Sequence, residues 1–256
     1  MQRTYKERET GVEPAPAFVE GIGMCGRFAS YLPPDAIRAL FRTTNAVPDL
    51  PPSWNMAPTQ AAMVVRLNPE TNGRQLDLLQ WGLIPHFTKD LKAARKPVNA
   101  RSETAGSSGM FRSALERRRC LVHADAFYEW RAMPDGKQPF AIGQKDGAPL
   151  AFAGVWEGWR GPDGETLRSF AILTTAANAT MGTLHDRMPV ILGEKHWPVW
   201  LGEQAGEPTS LMRPADDGLL HLWAVSRAVS SVRNNSPDLL DRIDDPHAPP
   251  PGDNPA

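Results

Sequence analysis

The sequence predicts an α+β domain built on an antiparallel, barrel-like β-sheet with flanking helices. Most periodic segments are short runs of β-forming residues, and helical spacing of apolar residues is in the minority. These runs follow one another without regularly spaced helices between them, which favours antiparallel pairing. At 256 residues the chain is long enough to bury a substantial core, and we expect one domain.

Both ends of the chain are expected to lie outside this domain. Residues 1–23 mix charge, Pro and Gly without a period, which is typical of a disordered leader, an upstream start codon or an expression remnant. Residues 241–256 end in a Pro-rich stretch that cannot bury enough apolar surface to order itself. The predicted domain therefore spans residues 24–240.

Two segments show the apolar spacing of an amphipathic helix. In residues 34–42 the side chains of Ile37, Leu40 and Phe41 fall on one face, behind an acidic residue in the first turn. Residues 108–118 repeat the pattern and lead into three consecutive arginines at positions 117–119. The negative end of a helix dipole favours such cations, so we interpret the arginine run as complementation of this dipole.

The predicted strands are apolar and β-branched runs bounded by turn-forming residues. They are Ala62–Leu67, Leu76–Leu83, Cys120–Trp130, Phe140–Gln144, Leu150–Trp156, Leu167–Thr175 and Val190–Leu192. A Gly-Pro-Asp-Gly sequence at residues 161–164 is a strong turn signal between two of these runs. It predicts an antiparallel hairpin.

Charge and cysteine content exclude several classes of protein. The 28 basic and 29 acidic residues leave no overall positive field, so any contact with nucleic acid must come from a local patch. The two cysteines, Cys25 and Cys120, lack metal-ligand spacing, which indicates a reducing compartment and no structural zinc. We expect no cofactor. No apolar run reaches the roughly 20 residues of a membrane-spanning helix, and no secretory signal is present. We expect a cytoplasmic protein that does not engage a membrane.

The segment around Cys25 suggests covalent chemistry. If translation began at Met24 and this methionine were trimmed, Cys25 would carry a free α-amino group beside its thiol. Such a 1,2-aminothiol adds twice to one aldehyde carbon: the amine forms an imine and the thiol closes a five-membered thiazolidine. The alternative is that Cys25 is a small buried hydrophobe, the usual fate of a free cysteine, and from Met-Cys-Gly alone this alternative is favoured.

The ordinary pKa values of the two amines favour an α-amine over a lysine side chain as the attacking group. An α-amino group has a pKa of about 7.7 to 8.0, against roughly 10.4 for lysine, so it offers on the order of a hundredfold more free base at neutral pH. Ring closure by the thiol is then intramolecular, and oriented intramolecular steps reach effective molarities of about 10⁵ M or more. The trapped product should therefore be long-lived.

Several further motifs occur in a fixed order along the chain. They are Trp54–Thr59 (WNMAPT), Trp81–Pro85 (WGLIP), Asn99–Thr104 (NARSET), Phe127–Trp130 (FYEW), His185–Pro189 (HDRMP) and Val225–Val229 followed by Asn234. Together with the Met-Cys-Gly segment, this order resembles the SOS response-associated peptidase (SRAP) family of abasic-site-crosslinking proteins. The resemblance extends over roughly residues 24–237.

The resemblance assigns roles to four residues. It implies that Cys25 is the crosslinking nucleophile, that Asn99 senses and positions the abasic sugar, and that Glu129 and His185 form an acid/base pair. Imine chemistry needs such a pair, and a carboxyl beside two aromatic residues would be partly desolvated, which raises its pKa. Without the resemblance, Glu129 is as well explained as a surface-paired carboxylate and His185 as a hydrogen-bonded structural histidine.

The resemblance also implies a set of DNA contacts. Arginine forks suit phosphates, and loops with aromatic or proline faces can support an unstacked base. The implied residues are Arg27, Asn55, Pro58, Trp81, Arg101, Thr174, Arg187, Ser226 and Arg227. Ordinary surface pairing explains the arginines equally well, Trp81 could belong to the core, and Thr174 could simply belong to its strand.

The function implied is an abasic-site processing protein of the SOS response, a monomer whose partner is single-stranded DNA containing abasic sites. It would shield the lesion through a thiazolidine crosslink and associate with the nucleoid when bound, with lyase activity and self-cleavage after Met24 as further expectations. The main alternative is a cysteine peptidase or N-terminal-nucleophile amidase with His185 as base. A third class, a noncovalent nucleic-acid-binding module, would not need Cys25. While residues 1–23 remain attached, the Cys25 nitrogen is an amide and cannot form an imine.

Overall fold

The computed structural model describes residues 25–245, and everything said of the structure refers to that range. The strands are β1 Phe28–Ser30, β2 Ser53–Met56, β3 Ala61–Leu67, β4 Arg74–Trp81, β5 Asn99–Arg101, β6 Arg119–Ala124, β7 Ala126–Met133, β8 Gly136–Gln144, β9 Leu150–Arg160, β10 Thr166–Ala176, β11 Arg187–Pro189 and β12 Leu220–Ala224. The α-helices are α1 Pro34–Phe41, α2 Ser102–Ala105, α3 Arg112–Arg117 and α4 Trp197–Leu201. Short 3₁₀ turns lie at Met181–Thr183, Glu194–His196, Pro208–Leu211, Arg227–Ser230 and Pro237–Leu240.

The larger sheet closes on itself. Its strands follow the order β10–β4–β3–β6–β9, and β9 pairs again with β10, which completes a five-stranded barrel. The β9–β10 pair is the hairpin predicted from the turn at residues 161–164, and Gly164 has a φ of 80° that suits glycine. The expected α+β fold with a barrel-like sheet is therefore confirmed.

The sheet differs from the prediction in strand direction. Strand β10 runs parallel to β4 and to β5, so the barrel is mixed rather than wholly antiparallel. Strand β11 pairs with the end of β10 and stops at Pro189, just before the segment predicted to form it. Of that segment, Ile191 makes a single bridge to Phe152.

A second, five-stranded sheet has the order β12–β8–β7–β1–β2 and is antiparallel throughout. The single strand predicted at Cys120–Trp130 is wrong, because β6 belongs to the barrel and β7 to this second sheet. The break falls at Asp125, whose carboxylate accepts the backbone N–H groups of Tyr31 at 2.6 Å and Leu32 at 3.0 Å. This contact fixes the corner where the chain leaves one sheet for the other.

Alternating side chains of the barrel strands feed two apolar clusters. Val64 packs in a cluster with Phe28 and Phe127 from the second sheet. The neighbouring Val65 packs in another cluster with Phe41 of α1 and residues of α3 and α4. Because successive side chains of a strand point to opposite faces, both faces of the barrel strands are buried.

The helices cover the second of these clusters. Helix α1 begins with proline at its first turn and buries Ile37 and Phe41, one turn apart, as its spacing predicts. Helix α3 is shorter than predicted, starting at Arg112. After it, the Arg119 guanidinium donates to the carbonyls of Leu115 and Glu116 in the last turn, as dipole complementation requires.

Ordered contacts continue past the boundary expected at residue 240. Arg242 forms a strand bridge with Val225, and the Ile243 N–H donates to the Ala224 carbonyl at 2.9 Å. The other residues of the expected tail, from 246 onward, and those of the expected leader lie outside the described range. Within that range no helix has the length and apolar character needed to cross a bilayer.

Candidate active site

The Cys25 nitrogen lies against the Glu129 carboxylate. Strand β1 pairs with β7 through Phe28 and Phe127, and the Tyr128 N–H donates to the Arg27 carbonyl at 3.0 Å. This pairing brings Cys25, three residues before β1, to the middle of β7, where its N–H donates to Glu129 Oε1 at 2.6 Å. The two sequence motifs are 104 residues apart in the chain, and backbone pairing joins them.

Burial determines the electrostatics of this contact. Glu129 is 6% exposed, and its desolvation raises the pKa of the carboxyl from its ordinary 4.5 to about 7, although hydrogen bonds from the backbone of Cys25 and Trp130 oppose the rise. The desolvation expected from its aromatic neighbours is confirmed, and the alternative of a surface-paired carboxylate is excluded. Burial, and secondarily Glu129, also raises the pKa of the Cys25 thiol well above its usual range, so the thiol is protonated at neutral pH.

Cys25 also has an unusual backbone conformation. Its φ is 57°, in the left-handed region that residues with a side chain rarely adopt. Such a conformation costs of order 1–3 kcal/mol and persists only where surrounding contacts impose it. Here the contacts are the hydrogen bond to Glu129 and the complete burial of the Cys25 side chain.

Strand β10 brings two of the motifs together, Asn99–Thr104 and His185–Pro189. On one side β5 places Asn99 opposite Ile172 and Arg101 opposite Thr174, and on the other β11 places Arg187 opposite Ala176. The residues adjacent to these motif positions pack in the same apolar cluster as Cys25; they are Val98, Leu184 and Met188. The Asn99–Thr104 and His185–Pro189 motifs are therefore anchored in the core that also holds Cys25.

His185 is half-buried and contacts its own neighbours. Its Nδ1 lies 2.8 Å from Asp186 Oδ1 and accepts the Arg187 N–H at 3.1 Å. In the part of the chain that the structure describes, His185 makes no hydrogen bond to Cys25 or Glu129. His185 therefore lies among charged neighbours, and its acid/base pairing with Glu129 stays a prediction.

Arg187 is engaged on two sides. Its two terminal nitrogens donate to the two oxygens of Glu103, at 2.5 and 2.9 Å. One of them also donates to the Thr174 carbonyl at 2.7 Å, and Thr174 Oγ1 lies at 3.3 Å. Glu103 is absent from the residues that the sequence singled out, although it lies within the Asn99–Thr104 motif, two positions after Arg101.

Two of the residues expected to line a DNA groove are structural. Trp81 is the last residue of β4, fully buried, and its Nε1–H donates to the Val98 carbonyl at 2.9 Å. Asn55 lies in β2 at 2% exposure, and its amide nitrogen donates to three backbone carbonyls between residues 229 and 234. The expected placement of Trp81 and Asn55 in loops is wrong, because both lie in strands and both side chains are buried. A DNA contact by either residue stays a prediction.

Arg27 is also used within the protein. Its guanidinium donates to Asn55 Oδ1 at 2.8 Å and to the carbonyls of Val229 at 2.9 Å and Ser230 at 3.2 Å, and burial lowers its pKa. These bonds tie the start of β1 to the 3₁₀ turn at Arg227–Ser230. At this turn Ser226 Oγ accepts the Ala228 N–H.

The remaining candidates lie nearer to solvent. Arg101 is exposed and, among residues 25–245, has no ion-pair partner. Arg227 is exposed and pairs with Asp135 at 2.8 Å. Pro58 is half-buried in the turn between β2 and β3, and Thr174 is almost fully buried in β10. The structure therefore leaves Arg101 as the most accessible of the expected cations near Asn99.

The amino-acid sequence is similar to those of abasic site processing proteins from bacteria and animals. The chain is 39% identical over 224 residues to the abasic site processing protein YoqW of Bacillus subtilis strain 168. The aligned region covers 85% of this chain and 99% of YoqW. It is 31% identical over 265 residues to the abasic site processing protein HMCES of Xenopus tropicalis. That aligned region covers 86% of this chain and 78% of HMCES.

Solved structures and a family profile agree with these relatives. A protein from Bacteroides thetaiotaomicron has the same fold, with a TM-score of 0.76 at 21% identity over 86% of this chain and all of that one. One from Bordetella bronchiseptica has a TM-score of 0.67 at 28% identity, covering 79% of this chain and all of its own. The profile of the SOS response associated peptidases matches residues 24–232. The chain belongs to the SOS response associated peptidase (SRAP) family.

Proposed function

We propose that the mature protein begins at Cys25 and captures abasic sites in single-stranded DNA by forming a covalent thiazolidine. The names of its relatives support the abasic site as substrate. The observation that carries the proposal is the 2.6 Å contact between the Cys25 nitrogen and the buried Glu129 carboxylate. This contact places a proton acceptor at the atom that would attack the aldehyde.

The proposed chemistry balances without an external reagent. The Cys25 amine adds to the aldehyde carbon of the ring-opened sugar, and loss of one water gives a protonated imine. The Cys25 thiol then adds to the same carbon, its proton leaves, and the nitrogen becomes a neutral secondary amine. One C–N and one C–S bond form for one water released, with no change in oxidation state. The imine is also the species from which a lyase would break the strand, so lyase activity belongs to the same proposal.

Glu129 acts as the proton carrier in this scheme. Beside the amide nitrogen of Cys25, burial raises the pKa of Glu129 to about 7, which brings it toward the 7.7 to 8.0 of an α-amine and favours proton exchange between the two groups. As a carboxylate it removes the proton from the ammonium, and as a carboxylic acid it protonates the departing water. His185 would serve the sugar oxygen, and Asn99 would position the sugar.

The protonated thiol distinguishes this scheme from a thiolate peptidase. A peptidase cysteine needs a cationic neighbour that lowers its pKa, whereas burial and Glu129 raise the pKa of Cys25. Self-cleavage after Met24 is a separate case, since there the Cys25 nitrogen is the leaving group. Glu129 would protonate this nitrogen as water attacks the preceding carbonyl, and release of the strained φ of 57° would favour the cleavage.

We infer that DNA binds across the end of β10. Arg101 supplies an exposed cation there, and Arg187, Thr174 and the more distant Arg227, Ser226 and Pro58 are further candidates. A few such phosphate contacts give affinity without a basic overall composition. In this proposal the protein acts as a monomer and is located with the DNA that it protects.

A denaturing gel tests the proposal. The chain starting at Cys25 is incubated with a single strand containing one abasic site, and we expect a DNA adduct that survives denaturation. Cys25→Ser should abolish the stable adduct, and Cys120→Ala, which alters the other buried cysteine, should retain it. Peptide turnover without an adduct would favour the peptidase alternative, and equal binding of intact and damaged strands without an adduct would favour a noncovalent module.

A further inference from the structure

Arg187 and Glu103 form a fork-to-fork ion pair at the end of β10. Each terminal nitrogen of the Arg187 guanidinium donates to a different oxygen of the Glu103 carboxylate. The guanidinium side chain is 16% exposed and the carboxylate side chain 51%, so Glu103 covers Arg187 on the solvent side. The pair lowers the pKa of Glu103, which keeps it ionised at neutral pH.

The ion pair lies among the residues that the proposed function uses. Arg187 follows His185 by two positions, and its backbone N–H donates to the His185 ring. Its side chain donates to the Thr174 carbonyl, and Thr174 pairs across the sheet with Arg101. A DNA phosphate that binds the terminal nitrogens of Arg187 must therefore compete with Glu103, which accepts from both of them.

Carboxylate and phosphate compete for the same face of an arginine. Each offers two oxygens at a spacing that matches the guanidinium fork, so an arginine bound to one cannot present that edge to the other. The Thr174 carbonyl holds one terminal nitrogen independently of Glu103. Loss of the Glu103 charge would therefore leave the guanidinium in place and free its outer edge.

We propose that Glu103 is a counter-ion gate for Arg187, which neutralises this guanidinium in the DNA-free protein and is displaced when a DNA phosphate takes its place. The inference rests on the proposed function, since it assigns a role at the same DNA site. Its consequence is weak noncovalent binding to undamaged single strands. The protein then leaves intact DNA quickly and is retained only where Cys25 forms a covalent bond.

Binding to intact DNA tests the gate. Fluorescence anisotropy with a labelled oligothymidine measures Kd between low and physiological salt for wild type, Glu103→Gln, Arg187→Ala and the double variant. Glutamine keeps the shape and one oxygen acceptor but removes the charge. We expect Glu103→Gln to tighten binding about threefold or more at low salt, in line with a partly exposed ion pair. The slope of log Kd against log salt should change by less than about 0.7, the value for one contact to a single strand, because the bound state of both chains contains the same Arg187–phosphate contact.

The comparison across variants separates a gate from general repulsion. The gain from Glu103→Gln should disappear when Arg187 is already alanine. The matched control is Glu194→Gln, which removes the acidic partner of the exposed Arg42–Glu194 pair and should leave Kd unchanged. If Arg187→Ala unfolds, Arg187→Met replaces it, because methionine fills much of the same space with a flexible side chain but carries no charge.

Two results would overturn the gate. One is unchanged or weaker binding by folded Glu103→Gln, and the other is an equal gain with and without Arg187. The proposed function is judged separately, by the adduct of wild type with abasic DNA. A normal adduct with unchanged affinities contradicts the gate alone, whereas absence of the adduct contradicts the proposed function.

Discussion

The backbone nitrogen of Cys25 donates a 2.6 Å hydrogen bond to the carboxylate of Glu129, and both residues are buried. In a chain that begins at Cys25 this nitrogen is an α-amine, and in the proposed mechanism the same contact joins the nucleophile to its proton carrier. The pairing of β1 with β7 within the second sheet brings the two residues together.

The buried Glu129 makes stability depend on pH. Its pKa is higher in the folded protein, about 7, than its ordinary 4.5, so the folded state holds the proton more tightly. The stabilisation is fully present below about pH 4.5 and is lost as pH rises through about 7. We expect the free energy of unfolding, relative to Glu129→Gln, to fall by up to about 3 kcal/mol over this window. Urea denaturation at several pH values measures it, and a constant difference would contradict the assigned pKa.

Asn99 is expected to position the abasic sugar rather than to hold the fold. Asn99→Ala should slow adduct formation by about tenfold or more while the urea midpoint changes little, because poor alignment of reacting atoms is costly in rate. Single-turnover crosslinking with excess protein measures the rate. An unchanged rate in the folded variant would reject this role.

Arg101 is expected to contact a phosphate. Arg101→Ala should weaken noncovalent binding to single strands and reduce the slope of log Kd against log salt by about 0.7. Anisotropy titrations over a range of salt concentrations measure both quantities. If the slope of the variant equals that of wild type, Arg101 does not touch the DNA backbone.

Trp81 should matter for stability and not for DNA binding. Because the ring is fully buried, Trp81→Ala should cost about 3–5 kcal/mol of unfolding free energy. The control is Phe87→Ala, at a side chain that is 58% exposed, which should change stability by less than about 0.5 kcal/mol. Trp81→Phe keeps most of the core volume and should bind single strands as wild type does, and weaker binding by this variant would restore a DNA role for Trp81.

Local signals in the sequence predict the elements that depend on local interactions. The turn at residues 161–164 predicts the β9–β10 hairpin, and the spacing of Ile37 and Phe41 predicts α1. The break between β6 and β7 was missed, because a single acidic residue, Asp125, inside an otherwise β-forming run does not by itself mark a change of sheet. Its cause is the capture of two N–H groups near residue 31 by Asp125, a contact between distant parts of the chain.

In the candidate site, too, the sequence predicted what depends on local motifs and missed what depends on contacts between distant residues. The order of motifs identifies Cys25 and Glu129, but motif order carries no information on burial, so it also suggests DNA contacts for the buried Trp81 and Asn55. The short strands β1 and β5 were not predicted, since three residues are too few to show a period. Glu103 was missed because its importance lies in its bond to Arg187, which is 84 residues away.

The most direct test of the account varies only the first residue of the protein. Three chains, starting at Cys25, at a retained Met24 and at Met1, are incubated with the same abasic single strand and separated on a denaturing gel. We expect a stable adduct from the first chain and from any processed fraction of the others whose intact mass shows Cys25 at the terminus. An equal yield from chains whose mass shows the preceding residues still attached would contradict the central claim that the free Cys25 amine forms the bond.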